Sequence, residues 1–268
     1  IVEGDNDDLY PAYMHARGSF VTSEPLRNSE PDWSAMSNSV VTLQNIFDTN
    51  SLTNSSIESK KPLISWSGET LYKQMASIGL PYGTAFRLVE SVNVTPEGPT
   101  GKVEALSKLS LKNVSRRMRS SHIVPPTIID CMLQSSTLPS LLSKSMTSID
   151  LSLEEKMNLD PSFLDLLQVT TAQVPYAMDH VYMRADTAAS LWECDTCTIH
   201  VIMHSADDIM SFFDCNLVAG DGTIVVRLEG VRTRSISADM LQSTMDKDHA
   251  LLTAEVEWHH DSMVDSDD

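Results

Sequence analysis

One strongly apolar helical run set among strands constrains this chain more than any other feature. From Val181 to Ser237 the sequence reads as strand after strand: "VYMRA", "CTIHVIMHS", "IMSFFDCNLVA" and "TIVVRLEGVRTRSIS". The last two are joined by "GDG" (220–222), a tight hairpin signal. Two earlier runs, "FRLVESVNVT" (86–95) and "GKVEALSKLSL" (101–111), alternate in the same way around a "PEGP" turn. A sheet that is apolar on one face needs a cover. The only run suited to that task is "PTIIDCMLQ" (126–134). The expected fold is therefore α+β, an antiparallel sheet wrapped around one central helix.

The same run holds an acid. Asp130 lies among Ile128, Ile129, Met132 and Leu133, with Gln134 one turn later on the same helical face. Either Asp130 sits at an exposed edge, or it is buried for a purpose. Desolvation among apolar neighbours raises a carboxyl pKa, and a carboxylic acid that keeps its proton near neutrality can act as a general acid.

Around this centre, "SGETLYKQMASIG" (67–79) predicts a helix capped by Ser67, striped by Leu71, Met75 and Ile78, and stopped by Gly79. The central helix is expected to be interrupted at Pro139, with a second helix over roughly 140–146 and a loop of mixed character up to Val181. Residues 25–66, rich in Ser, Asn, Pro and Thr, read as a linker with one short helix near 39–47.

Composition narrows the function classes. The 268 residues are 41% hydrophobic and carry a formal net charge of −18, which argues against nucleic-acid binding. No apolar run approaches the ~18 residues of a membrane span, and no basic-then-apolar leader opens the chain. Four cysteines in a chain of this length do not make a disulfide framework, so a reducing, cytoplasmic setting is expected. Three sequons, at Asn54, Asn93 and Asn113, are then chance matches. The chain starts at Ile1 rather than Met, which fits a piece of something longer.

Several motifs weigh less. "IVEG" at the N-terminus lacks any accompanying protease motif. "CDTC" (194–197) has metal or redox spacing but runs into a strand and lacks a second pair, so a structural role is expected. His200 and His204 share one face of a strand, and His259 and His260 sit by the acidic tail; all four read as surface or half-buried residues rather than ligands. "RRMR" (116–119) is either a solvated loop or a dock for a phosphate or acidic partner.

Taken in order, these segments resemble polyketide synthase dehydratase domains, particularly those of fungal highly reducing synthases. "LYKQMASIGLPYGTAFRLVESV" (71–92) resembles their Tyr-Gly-Pro-x-Phe segment, and "PPTIIDCMLQ" (125–134) their active-site helix. "VPYAMDHVYM" (174–183), "FFDCNLVAGDGTIVVRLEGVRTRSIS" (212–237) and "AEVEW" (254–258) follow in the family's order, and "YMHARGSFV" (13–21) resembles the last strand of a preceding hotdog. The resemblance implies a hotdog fold, the second half of a double hotdog, in residues 67–258. Residues 1–24 would be the terminal strand of the preceding hotdog, 25–66 the linker and 259–268 an acidic tail.

It also implies a hydro-lyase that eliminates water from a 3-hydroxyacyl thioester carried on the phosphopantetheine of an acyl carrier protein. Asp130 would be the acid and Gln134 its orienting partner; Tyr82, Gly83, Phe86 and Pro126 would contact the acyl chain. Arg116, Arg117 and Arg119 would dock the carrier. No metal or redox cofactor is implied. The family's histidine motif on the first hotdog has no counterpart here; the expected source is a missing first half or another copy of the chain. Pro125 replaces the His of the family's active-site motif, and Thr84 the Pro of Tyr-Gly-Pro. Two alternatives stand beside this reading: a dehydratase-like cyclase or pericyclase shaping a polyketide in an apolar tunnel, and a noncatalytic hotdog kept for association.

Overall fold

The computed structural model describes residues 32–52, 64–115, 119, 122–148, 169–184, 186–237 and 239–240. All the elements below lie in the unit that begins at Trp33. The chain runs through α1 (Trp33–Leu52), β1 (Ile64–Ser67), α2 (Gly68–Ser77), β2 (Val89–Thr95), β3 (Glu104–Ser110), α3 (Pro126–Gln134), α4 (Thr137–Ser148), β4 (Thr171–Ala177), β5 (His180–Met183), β6 (Thr196–Ala206), β7 (Met210–Val218) and β8 (Ile224–Ser237). Short 3₁₀ turns occur at Thr84–Phe86 and Ala188–Trp192.

The eight strands form one antiparallel sheet in the order β1-β2-β3-β6-β7-β8-β4, with β5 also paired to β8. Alternation along the strands sends Val92, Val94, Ala105, Leu109, Ile199, Val201, Phe213 and Cys215 to one face. There they bury Ile128, Cys131 and Met132 of α3 with Leu138 and Leu142 of α4. This antiparallel sheet around a central helical segment is the hotdog arrangement expected from the sequence. Ile129 and Leu133 are only partly buried, so the helix does not give every apolar residue to the sheet.

Local chemistry explains the element boundaries. Ser67 caps α2, its Oγ accepting the Thr70 N–H at 3.1 Å, and Gly79 leaves the helix at φ 85°. Ala219 and Thr223 close the β7–β8 hairpin across "GDG" through a 2.8 Å backbone hydrogen bond. The central helix breaks at Ser135–Ser136 rather than at Pro139, which sits inside the first turn of α4. A proline ring clashes with the carbonyl four residues earlier, here that of Ser135. The break takes up this clash, and the hydroxyls of Ser135 and Ser136 donate to the carbonyls of Cys131 and Leu133 at 2.8 and 2.7 Å.

Three further expectations are corrected. Within 25–66, read as a linker with a short helix, α1 runs for 20 residues. Its Val40, Leu43 and Phe47 pack on Leu106, Val218 and Ile224, on the sheet face opposite α3. Trp33 and Met36 extend the stripe at helical spacing, but Ser, Asn, Thr and Gln fill the other faces and make the segment read as a linker. The sheet also begins before residue 67: Ile64 and Trp66 of β1 enter the core while Ser65 and Ser67 face out, an alternation too brief to recognise. Finally, the stretch before Val181 read as loop contains β4, whose Pro175 is tolerated because β4 lies at the sheet edge. Residues 1–24 and 259–268 lie outside the described residues.

Candidate active site

The burial of Ile128, Cys131 and Met132 fixes the rotation of α3. Asp130, Leu133 and Gln134 are thereby turned toward a cleft that opens to solvent, and Thr137 of α4 continues the stripe. Leu80 and Tyr82 enter from the loop after α2, and Val169, Gln173 and Thr233 close the opposite wall. Met75 and Ile78 add apolar lining from α2 and its end.

Asp130 is half-buried. Burial pushes its carboxyl above the ordinary range, and the hydrogen bond from Gln134 Nε2 to Oδ2, at 2.7 Å, only partly pulls it back. The second nitrogen-to-oxygen contact of Gln134 runs from Nε2 to the Phe86 carbonyl at 3.2 Å. Its Oε1 accepts the Tyr72 hydroxyl at 3.0 Å, and Tyr72 in turn accepts the Val89 N–H at 3.0 Å. Tyr82 meets Tyr72 edge-on, ring centres 6.2 Å apart, and its phenol is pushed up by burial and by the Asp130 charge. The cleft therefore holds a carboxyl and a phenol, both shifted upward by burial, against a wall that is largely apolar. Such a pair can deliver a proton to a departing oxygen or a hydrogen bond to a carbonyl.

The residues expected from the sequence divide as follows. Asp130, Gln134 and Tyr82 share the cleft. Gly83 starts the 3₁₀ turn beside it, and Pro126 is exposed at the first turn of α3; neither lines the cleft. Phe86 is 38% exposed and also lies off the cleft, whereas its backbone carbonyl holds Gln134. Arg119 is committed inside the fold: its Nε donates to the Val114 carbonyl at 3.1 Å, another nitrogen to the Leu111 carbonyl, and its guanidinium lies 5.1 Å from the Trp192 ring centre. Arg119 is partly buried, and these contacts engage its guanidinium within the chain. Arg116 and Arg117 lie outside the described residues.

Cys194 and Cys197 are free thiols, the first exposed and the second buried in β6. Among the described residues no group of His, Cys, Asp and Glu could hold a metal ion. His200 was expected to be at or near the surface, yet it is fully buried. Sequence reasoning missed Tyr72, Gln173 and Thr233. Tyr72 carried a signal: it adjoins the Leu71–Met75–Ile78 stripe, and a buried tyrosine hydroxyl needs a partner.

The chain matches the family model of the polyketide synthase dehydratase N-terminal domain over residues 55–145 and 152–243, more than half of its length. Among solved structures it is similar to a trans-AT polyketide synthase dehydratase domain from Brevibacillus brevis, at 20% identity over 77% of this chain and 53% of that one, TM-score 0.46. It is also similar to the dehydratase domain of RzxB from Pseudomonas fluorescens, at 15% identity over 68% and 54%, TM-score 0.43. A third similar structure is the dehydratase domain of PpsC from Mycobacterium tuberculosis, in complex with C12:1-CoA, at 14% identity over 68% and 56%, TM-score 0.43. The chain spans about half the length of each of these domains. Among the described residues no helix is long and apolar enough to cross a membrane.

Proposed function

Since the chain belongs to the polyketide synthase dehydratase N-terminal domain family, we propose that it carries the acid side of a dehydratase site. Its substrate would be a 3-hydroxyacyl thioester on the phosphopantetheine arm of an acyl carrier protein. A base removes the α-proton, and the C–H electron pair becomes the carbon–carbon double bond. The β-carbon–oxygen bond breaks, and Asp130 gives its proton to the oxygen, which leaves as water. The observation that carries this reading is the half-buried Asp130 in an open cleft, its carboxyl held up by burial while Gln134 fixes one of its oxygens at 2.7 Å. Tyr82 would hydrogen-bond the substrate's oxygen functions, and Met75, Ile78, Leu80 and Leu133 would receive the acyl chain.

Among the described residues lining the cleft there is no histidine. The base would come from a first hotdog half or another copy of the chain. Arg116 and Arg117 remain the candidates for meeting an acidic carrier protein, and the motif order favours a fungal highly reducing synthase as the source. The test is to supply a 3-hydroxyacyl-pantetheine thioester with a histidine-bearing hotdog half, or with imidazole as a surrogate base, and follow formation of the enoyl thioester. Elimination that disappears in Asp130→Asn is expected; equal rates in both proteins would remove Asp130 from the mechanism.

A second reading is favoured by the same pair of groups in one cleft. Asp130 and Tyr82 can both donate to a carbonyl, which suits cyclisation or a pericyclic step in which orientation contributes as much as ~7–11 kcal/mol. Turnover of a linear polyene by the chain without added base, lost in Tyr82→Phe, would select it over elimination. Inertness in both assays would select an association module.

A further inference from the structure

We propose that Tyr72 is a positioning residue for Asp130, acting through the Gln134 amide to fix which carboxyl oxygen carries the proton. The argument is one of donors and acceptors. The Val89 N–H can only donate, and it donates to the Tyr72 oxygen at 3.0 Å. The hydroxyl hydrogen is then free for an acceptor, and Gln134 Oε1 lies at 3.0 Å with the Phe86 carbonyl at 3.3 Å. The Phe86 carbonyl can only accept, so the side of the Gln134 amide that faces it, at 3.2 Å, is Nε2. Backbone groups at both ends thus set the polarity of the relay: Val89 N–H to Tyr72, Tyr72 O–H to Gln134 Oε1, Gln134 N–H to Asp130 Oδ2. With Oδ2 always receiving a donor, the proton resides on Oδ1.

The relay itself does not ionise near neutrality. Burial and the neighbouring Cys131 push the Tyr72 phenol well above its usual range, and Gln134 carries no titratable group. The other groups facing Asp130 are the Tyr82 phenol and the Cys131 thiol, both held up chiefly by burial; Arg87 lies 5.8 Å over the Tyr72 ring. Tyr72 lines no part of the cleft, so it acts on substrate only through Gln134 and Asp130. Its importance to turnover rests on the reading of Asp130 as the acid, whereas its effect on the carboxyl does not.

The test therefore reads the carboxyl directly, by NMR titration of carbon-13-labelled aspartate in the full chain without substrate. Tyr72→Phe keeps the ring and removes the hydroxyl. Gln134 is then held less firmly, its bond to the carboxylate weakens, and the Asp130 midpoint shifts upward. In a Gln134→Leu background the same change leaves the midpoint where it is. Replacing Tyr72 alone by 3-fluorotyrosine, a stronger donor on the same ring, polarises the amide further and shifts the midpoint downward; this arm decides the matter if the phenylalanine variant loses its fold. An unchanged midpoint in folded Tyr72→Phe, an equal upward shift in the Gln134→Leu background, or no downward shift with fluorotyrosine overturns the proposal. Absence of elimination by the parent chain in the complemented assay, with these three shifts observed, would leave Tyr72's effect on the carboxyl standing and count against only the reaction assigned to the site.

Discussion

Glu104 and His200, diagonal neighbours on β3 and β6, meet at 2.8 Å with neither side chain exposed, on the sheet face opposite the cleft. Glu104 also accepts the Thr100 N–H and hydroxyl, both at 2.7 Å. Burial works against its charge, but the His200 and Thr100 hydrogen bonds outweigh that and hold the carboxyl below its ordinary range. A depressed folded-state value means stability that is present above the unfolded-state value and lost as pH falls through the folded one. His200→Leu, which leaves the buried carboxylate without its partner, should cost about 3 kcal/mol. Thermal unfolding should show that penalty at neutral pH and a narrowing gap in acid.

Asp130→Asn tests the opposite sign. Its folded-state value is raised, so ionisation weakens the fold as pH rises from the unfolded-state value through the folded one. The asparagine variant should melt higher than the parent at neutral pH, and the gain should vanish in acid, where both side chains are neutral. If Asp130 is the acid, elimination in the complemented assay should fall about 10²–10⁴-fold. A variant less stable than the parent at neutral pH would contradict the burial argument.

Gly230 sits at φ 67°, and any Cβ there would overlap the Asp179 carboxylate. Asp179 holds Arg232 through two bonds, at 2.7 and 3.0 Å, at the point where the edge passes from β4 to β5. Gly230→Ala should cost at least the roughly 1–2 kcal/mol of the left-handed backbone. Removing Asp179 as well should reduce the penalty, which a double-mutant cycle of unfolding midpoints would register.

Arg119→Ala should behave as a loss of packing. Two carbonyl bonds and the Trp192 contact together are worth about 2 kcal/mol. Chemical denaturation should show the loss, with a change in tryptophan emission. A variant with unaltered stability and emission would mean that the guanidinium is free for other partners.

The sequence alone was enough for the hairpin, the Ser67 cap, the central helix and the pairing of Asp130 with Gln134, because each depends on residues within one or two turns or across a short loop. Even the family of the chain could be read from motif order. What the sequence could not decide depends on distant partners. The stripe of α1 acquires meaning only against Leu106, Val218 and Ile224, and His200 meets Glu104 only once β3 and β6 are paired. The commitment of Arg119 to Trp192, 73 positions away in the numbering, is likewise a product of the folded chain. Tyr72 is the sharpest case: its oxygen reaches Val89 17 residues on and Gln134 62 residues on. Periodicity reports which side of a helix is apolar; which donor meets which acceptor is settled only when the sheet closes around α3 and brings distant polar groups within reach of one another.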